Sequence, residues 1–149
     1  MLYLLDTNTC IAAVRHHVLV LQRMAAVAPA DCAISSITTY ELYTGIEKCA
    51  DPAKELAKVN LWLATVSELV FDGQAARDAG RIRALLESRG CMIGAYDVLL
   101  AGHARSLGLT LVTDNVSEFR RVPGLNLEKP ASSAGTVGRF PGITPSFPI

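Results

Sequence analysis

Short uninterrupted apolar runs alternate along the chain with longer stretches whose apolar residues recur every three or four positions. Residues 2–5, Leu2-Tyr3-Leu4-Leu5, are apolar throughout and end at Asp6, which predicts a buried strand. From Asp6-Thr7-Asn8 the period changes, and Ile11 and Val14 begin a helical pattern that carries on beyond Val14 behind polar capping residues. Residues 32–35 form a second short run. Thr38 and Glu41 then stand at capping-box spacing ahead of Leu42, Ile46 and Lys48 on a helix. Pro52 breaks the pattern, and residues 53–66 resume it as an amphipathic helix carrying Trp62, read as a core residue.

Residues 68–71 predict a third strand. Asp72 opens a helix through Ala76, Ile82 and Leu86 that Gly90 stops, and residues 96–107 form another helix, stopped by Gly108. Residues 109–113 are a fourth strand ending at Asp114, and residues 126–128 a last short one. Strands that lack polar alternation, separated by helices, predict an α/β fold with a parallel sheet covered on both faces. From Pro130 the composition changes to proline, glycine and serine with almost no charge, so 130–149 is expected to be a flexible extension.

Composition narrows the function. Half of the 149 residues are hydrophobic and 19% are charged, yet no run approaches the roughly 18 apolar residues that span a bilayer. The first residues lack the basic region of a signal peptide, so a cytoplasmic protein without membrane association is expected, with its apolar excess spent on an interface. The formal net charge is zero, which removes bulk attraction to a polyanion and weakens a passive nucleic-acid-binding module. An enzyme that imports cations is less affected. Cys10, Cys32, Cys49 and Cys91 are scattered without zinc spacing and read as reduced, packed thiols.

The candidate chemistry is carboxylate. Asp6 follows the first predicted strand and Asp114 the fourth, Asp97 begins the helix feeding that fourth strand, and Glu41 lies early in the helix after the second. All four fall at the carboxyl edge of a parallel sheet, where ligands collect. Each has a plain structural role available as a helix cap or turn residue. Together they have an energetic problem. Four carboxylates about 5 Å apart repel by about 3 kcal/mol per pair at an effective dielectric near 20. Six such pairs exceed the stability of a typical domain, so a cation is called for. Hard oxygen donors point to Mg²⁺ or Mn²⁺ rather than zinc, and such an ion suits phosphodiester hydrolysis.

Several segments occur in a telling order: Leu4-Leu5-Asp6-Thr7-Asn8; Ile34-Ser35-Ser36-Ile37-Thr38-Thr39-Tyr40-Glu41-Leu42 with Gly45; Arg81-Ile82-Arg83; Ile93-Gly94-Ala95-Tyr96-Asp97 with Ala101, His103 and Ala104; Leu111-Val112-Thr113-Asp114-Asn115; and Glu118-Phe119 through Val122-Pro123-Gly124-Leu125. Over roughly residues 1–128 the set resembles the PIN-domain ribonucleases, in particular the VapC toxins of bacterial toxin–antitoxin pairs. The resemblance implies a PIN-like three-layer α/β/α sandwich with a central parallel sheet over residues 1–129. It further implies a Mg²⁺-dependent endoribonuclease, with Mn²⁺ as a substitute, acting on RNA as a homodimer restrained by a cognate antitoxin protein. Asp6 and Asp97 match the principal metal ligands, and Glu41 and Asp114 complete the catalytic acids. The aspartate at 114, where relatives often carry asparagine, adds a metal ligand. Thr7, Asn8, Thr113 and Asn115 line the pocket. Tyr96 departs from the smaller or polar residue that many relatives carry, and nothing in the family covers the tail.

Other readings remain to be separated. A phospho-accepting receiver domain also gathers aspartates around Mg²⁺, but needs a lysine on a late strand, and residues 109–113 hold none. A haloacid-dehalogenase-type phosphatase needs an aspartate where Asn8 stands. A catalytically idle PIN fold acting as a binding module is opposed by the presence of all four acids. His103 lies six positions after Asp97, off its helical face, and reads as a packing residue; His16 and His17 are weaker candidates still. Arg105, Arg120 and Arg121 divide evenly between phosphate neutralisation and ordinary ion pairs.

Overall fold

The chain forms five strands: β1 (Tyr3–Leu5), β2 (Cys32–Ser35), β3 (Ser67–Leu69), β4 (Thr110–Val112) and β5 (Asn126–Glu128). In this computed structural model, which describes residues 1–130, they form one sheet in the order β3-β2-β1-β4-β5, every pair parallel. Between them run α1 (Thr7–Val14), α2 (Val18–Ala25), α3 (Ser36–Glu47), α4 (Pro52–Leu63), α5 (Gly73–Ser88), α6 (Ala95–Ser106) and α7 (Val116–Phe119).

The register explains why the strands show no polar alternation. Leu4, Ala33 and Leu111 stand abreast on neighbouring strands and pack against Ala79, Ile82 and Leu86 of α5 and Val98 and Ala101 of α6. One residue further along, Leu5, Ile34 and Val112 stand abreast on the opposite face, against Cys10, Leu42, Ile46, Val59 and Trp62. Both faces of a parallel sheet are thus covered, giving the expected three-layer α/β/α sandwich with Trp62 in its core. The chain passes from β1 to β2 on one side and later places β4 on the other. The resulting switch point opens a crevice between the carboxyl ends of β1 and β4.

Some local expectations are corrected. The first helix does not continue past Val14: His16 adopts φ 59°, a left-handed turn, and the chain restarts as α2, whose Val20 rejoins the same apolar layer. Thr38 and Glu41 do not form a capping box. Ser35, the last residue of β2, caps α3 by accepting from the Ile37 N–H at 3.1 Å, so Thr38 lies inside the helix. With no loop between strand and helix, the start falls three residues early. Pro52, read as an interruption, is the first residue of α4 behind the Asp51 cap, where its missing N–H has no helical partner to lose. The extension assigned to 130–149 lies outside the described residues apart from Pro130.

Candidate active site

Each acidic side chain is placed by the end of an element. β1 ends in Asp6, which is only 5% exposed and caps α1 through Oδ1, accepting from the Thr9 N–H at 2.7 Å. Its backbone N–H donates to the Val112 carbonyl of β4 at 3.0 Å, which holds Asp6 over the switch point. The capping role foreseen for Asp6 is therefore real. It occupies one carboxylate oxygen.

Glu41 lies in the second turn of α3, half-buried, where it accepts a hydrogen bond from the Thr7 hydroxyl of α1. Two residues 34 apart in the chain are thereby joined across the mouth of the crevice. Asp97 lies in the first turn of α6, which runs back toward β4 and so presents its N-terminus at the same sheet edge. Gly94 opens that helix. A Cβ there would stand 2.9 Å from Asp97 Oδ2, so the carboxylate rests in space that only glycine leaves open.

The electrostatics report what these positions have in common. Asp97 is pushed up to about 6, first by burial and then by the charges of Glu118, Glu41 and Asp6. Those three acids come from α7, α3 and the end of β1, so carboxylates distant in sequence act on one another at this edge. The Cys10 thiol beneath is also raised, chiefly by burial and next by the Asp6 charge.

Glu118 is the acid that sequence reading passed over. Asn115 Nδ2 donates to its Oε2 at 2.9 Å, and the Asn115 backbone N–H in turn donates to Thr113 Oγ1 at 3.0 Å. Thr113, fully buried at the end of β4, thus orients Asn115, and Asn115 orients Glu118. The available signal was position: Glu118 lies in the first turn of the helix that follows the fourth strand. Asp114 is exposed in the turn after β4 and is not among the charges that raise Asp97. Asn8 is also exposed.

The donors here are hard carboxylate oxygens, and a carboxyl raised to about 6 by burial and then by neighbouring negative charge is an environment that a divalent cation relieves. Among the described residues no three His, Cys, Asp or Glu side chains stand together as a ready-made metal cage, so the case for an ion rests on the chemistry of the carboxylates. The residues fit such an ion. Beside Glu41 a cleft of about 520 Å³ opens between α1, α3 and α4, with Leu42, Ile46 and Val59 in its floor and Arg15 and Lys58 on its rim.

Residues 3–125 match the PIN domain family. The chain belongs to the PIN-domain family. Among its relatives is the tRNA(fMet)-specific endonuclease VapC of Salmonella typhimurium, 40% identical over 126 residues that cover 85% of this chain and 96% of that protein. Ribonuclease VapC2 of Haemophilus influenzae is 39% identical over 127 residues, covering 85% of this chain and 96% of that one. The sheet and its helices superpose on DNA-bound VapBC from Salmonella typhimurium with a TM-score of 0.82 at 40% identity, covering 87% of this chain and 99% of that one. VapBC2 from Rickettsia felis, bound to a promoter DNA fragment, gives 0.78 at 34% identity and covers 87% and 98%. This PIN-domain chain is accordingly a nuclease of the VapC ribonuclease group, and PIN-domain nucleases generally depend on divalent metal.

The remaining basic candidates divide. His103 is buried, its Nδ1 2.9 Å from Ser35 Oγ and its ring edge-on to Phe71, so it is the packing residue expected. Arg105 is committed to Asp78 by bonds of 2.8 and 2.9 Å and to the Pro123 carbonyl at 2.8 Å. Arg121 donates to the Met92 carbonyl at 3.0 Å. Arg120 is exposed. The four cysteines are free thiols, with Cys10 and Cys32 buried.

Proposed function

We propose that this chain is the toxin of a toxin–antitoxin pair, a Mg²⁺-dependent endoribonuclease that hydrolyses RNA phosphodiester bonds, with Mn²⁺ able to substitute. The observation that carries this reading is the elevation of Asp97 to about 6 by burial and by three acids from other elements. That is a site of concentrated negative charge at the switch point of a parallel sheet.

In this reading Asp6 and Asp97 are the principal metal ligands, and Glu118 joins them because Asn115 aims it at the same edge. Asp114, exposed after β4, is an outer ligand within reach of solvent and substrate. Glu41, held by the Thr7 hydroxyl, accepts a hydrogen bond from the attacking water and orients it in line with the scissile P–O bond. Thr7, Thr113 and Asn115 position acids, and Asn8 lies at the exposed rim. A bound divalent ion supplies Lewis-acid polarisation of the phosphodiester and lowers the pKa of water. Because water is the nucleophile, the RNA 2′-hydroxyl takes no part; the bond from phosphorus to O3′ breaks, O3′ leaves and takes up a proton, and the products carry 5′-phosphate and 3′-hydroxyl ends.

A cognate antitoxin is the proposed partner, since the relatives solved at 34–40% identity are VapBC complexes. The apolar floor of the cleft beside Glu41 offers it a surface next to the catalytic acids. We further propose a homodimer in the cytoplasm. No helix among the described residues is long and apolar enough to cross a membrane.

The deciding experiment is cleavage of a fluorescent RNA by purified chain in Mg²⁺ and in EDTA, beside Asp6→Asn and Asp97→Asn. Cleavage is expected only in Mg²⁺, with a loss of at least about 100-fold in each variant. Undiminished cleavage in EDTA, or by either variant, would refute the mechanism.

A further inference from the structure

Each of two catalytic acids is preceded in the chain by a tyrosine, Tyr40 before Glu41 and Tyr96 before Asp97. The fold brings these tyrosines together. Their ring centroids are 5.5 Å apart at an interplanar angle of 53°, and their hydroxyls lie 3.1 Å from each other. Tyr40 is nevertheless 52% exposed and Tyr96 43% exposed. Two large aromatic side chains, one from α3 and one from α6, therefore meet in water at the rim of the acidic edge.

Packing alone leaves them unexplained, because neither belongs to the two apolar layers on the sheet. Their neighbourhood supplies a reason. The net charge of the chain is zero, and the edge itself is acidic, so phosphates gain little from long-range attraction. Arg105 and Arg121 are engaged elsewhere. Arg15 and Lys58 on the cleft rim and the exposed Arg120 can meet phosphates, but they do not say which nucleotide sits at the acids, and a contact with the base itself is needed for that. Stacking of a base on an aromatic face is one, and it requires a base that is not already stacked in a duplex. The Glu41 charge acts on the Tyr96 phenol, after the larger effect of its bond to Tyr40, which places the pair within electrostatic reach of the acids.

We propose that Tyr40 and Tyr96 form a stacking platform that receives an unpaired base of the substrate RNA beside the scissile phosphate. This inference rests on the ribonuclease reading above. It assigns the pair a positioning role: the base held on the rings fixes which phosphate reaches the carboxylates, and the preferred substrate is single-stranded or looped RNA. The hydrogen bond between the hydroxyls holds the two rings in one arrangement before RNA arrives.

The test uses the full chain, with Ca²⁺ replacing Mg²⁺ so that binding is read without turnover. Fluorescence anisotropy follows a labelled single-stranded RNA that the wild type cleaves in Mg²⁺, and the same RNA carrying one abasic residue beside the cleaved bond. Tyr40→Ala and Tyr96→Ala are each expected to raise Kd for the intact RNA by about 5- to 100-fold. The abasic RNA should weaken wild-type binding by a similar factor but leave the alanine variants little changed. Tyr40→Phe and Tyr96→Phe should retain most of the affinity, since they keep the π faces.

Unchanged Kd in both alanine variants overturns the platform, as does equal loss in the phenylalanine variants, which would assign the effect to the hydroxyls. Conversion of a wild-type dimer to monomer by the alanine variants, seen by sedimentation, would instead make the pair an interface between copies. A wild type that cleaves no RNA in Mg²⁺ would bring down the ribonuclease reading itself, a result distinct from cleavage that persists with indifferent tyrosines.

Discussion

At the scale of single residues, Asp97 reports the state of the site. Burial, and then Glu118, Glu41 and Asp6, raise its carboxyl from an ordinary 3.8 to about 6. For a raised acid the native state holds the proton more tightly than the unfolded chain does. This group's contribution to the stability of the metal-free fold is therefore full below about pH 4 and is lost as pH rises through about 6. Carbon-13 NMR titration of Asp97 without metal should give a midpoint near 6, moving down in Glu118→Gln, while the part due to burial remains. An unmoved midpoint would deny Glu118 its place beside Asp97. Gly94 makes a second prediction. A methyl group 2.9 Å from Asp97 Oδ2 displaces a movable carboxylate rather than backbone, so Gly94→Ala should fold normally yet lose about ten-fold or more in metal-dependent cleavage. Wild-type activity in that variant would show that Asp97 tolerates the shift.

At the scale of elements, the pairing of α5 and α6 sets where Asp97 stands. A Cβ on Gly102 of α6 would lie 2.5 Å from the Ala79 backbone nitrogen and 2.6 Å from its Cα, both backbone atoms of α5 that cannot swing aside. Gly102→Ala must push the helices apart. Overpacking of this kind costs about 1–3 kcal/mol or more, so thermal melting should fall by several degrees. A variant melting with the wild type would mean that the two helices slide freely, and that α6 does not hold Asp97 in place. On the same face of the sheet, Ser35 serves two elements at once. It caps α3, which carries Glu41, and meets the ring of His103 from α6 at 2.9 Å. The two helices bearing Glu41 and Asp97 are therefore joined through one buried hydroxyl.

At the scale of the whole molecule, the acidic edge is a trade between stability and ion binding. In the proposed function, repulsion among carboxylates opposes folding until a cation arrives, and any ion that binds only the native state stabilises it by mass action. Millimolar Mg²⁺ should raise the melting temperature of the wild type and have little effect on Asp97→Asn. Equal shifts in both would place the ion elsewhere. The zero net charge belongs to the same picture, because it leaves recognition of RNA to local contacts.

The apolar runs by themselves determined the central strands, since a stretch such as Leu109 to Val112 is buried on both faces of a parallel sheet, whereas the edge strands Ser67–Leu69 and Asn126–Glu128 carry polar, partly exposed residues. From there it followed that Asp6, Asp97 and Glu41 lie at one edge, because an acid next to the end of a strand or the start of its helix has its position set by local order. The tertiary structure alone decided which acids act on one another. Glu118, held by Asn115 that Thr113 in turn orients, acts on Asp97, whereas Asp114 beside Asn115 is exposed to solvent. The meeting of Tyr40 and Tyr96, 56 residues apart, was equally out of reach. Periodicity says which face of an element a residue occupies; the distance between two such faces depends on how closely helices pack, and that is settled by contacts such as Gly102 on Ala79.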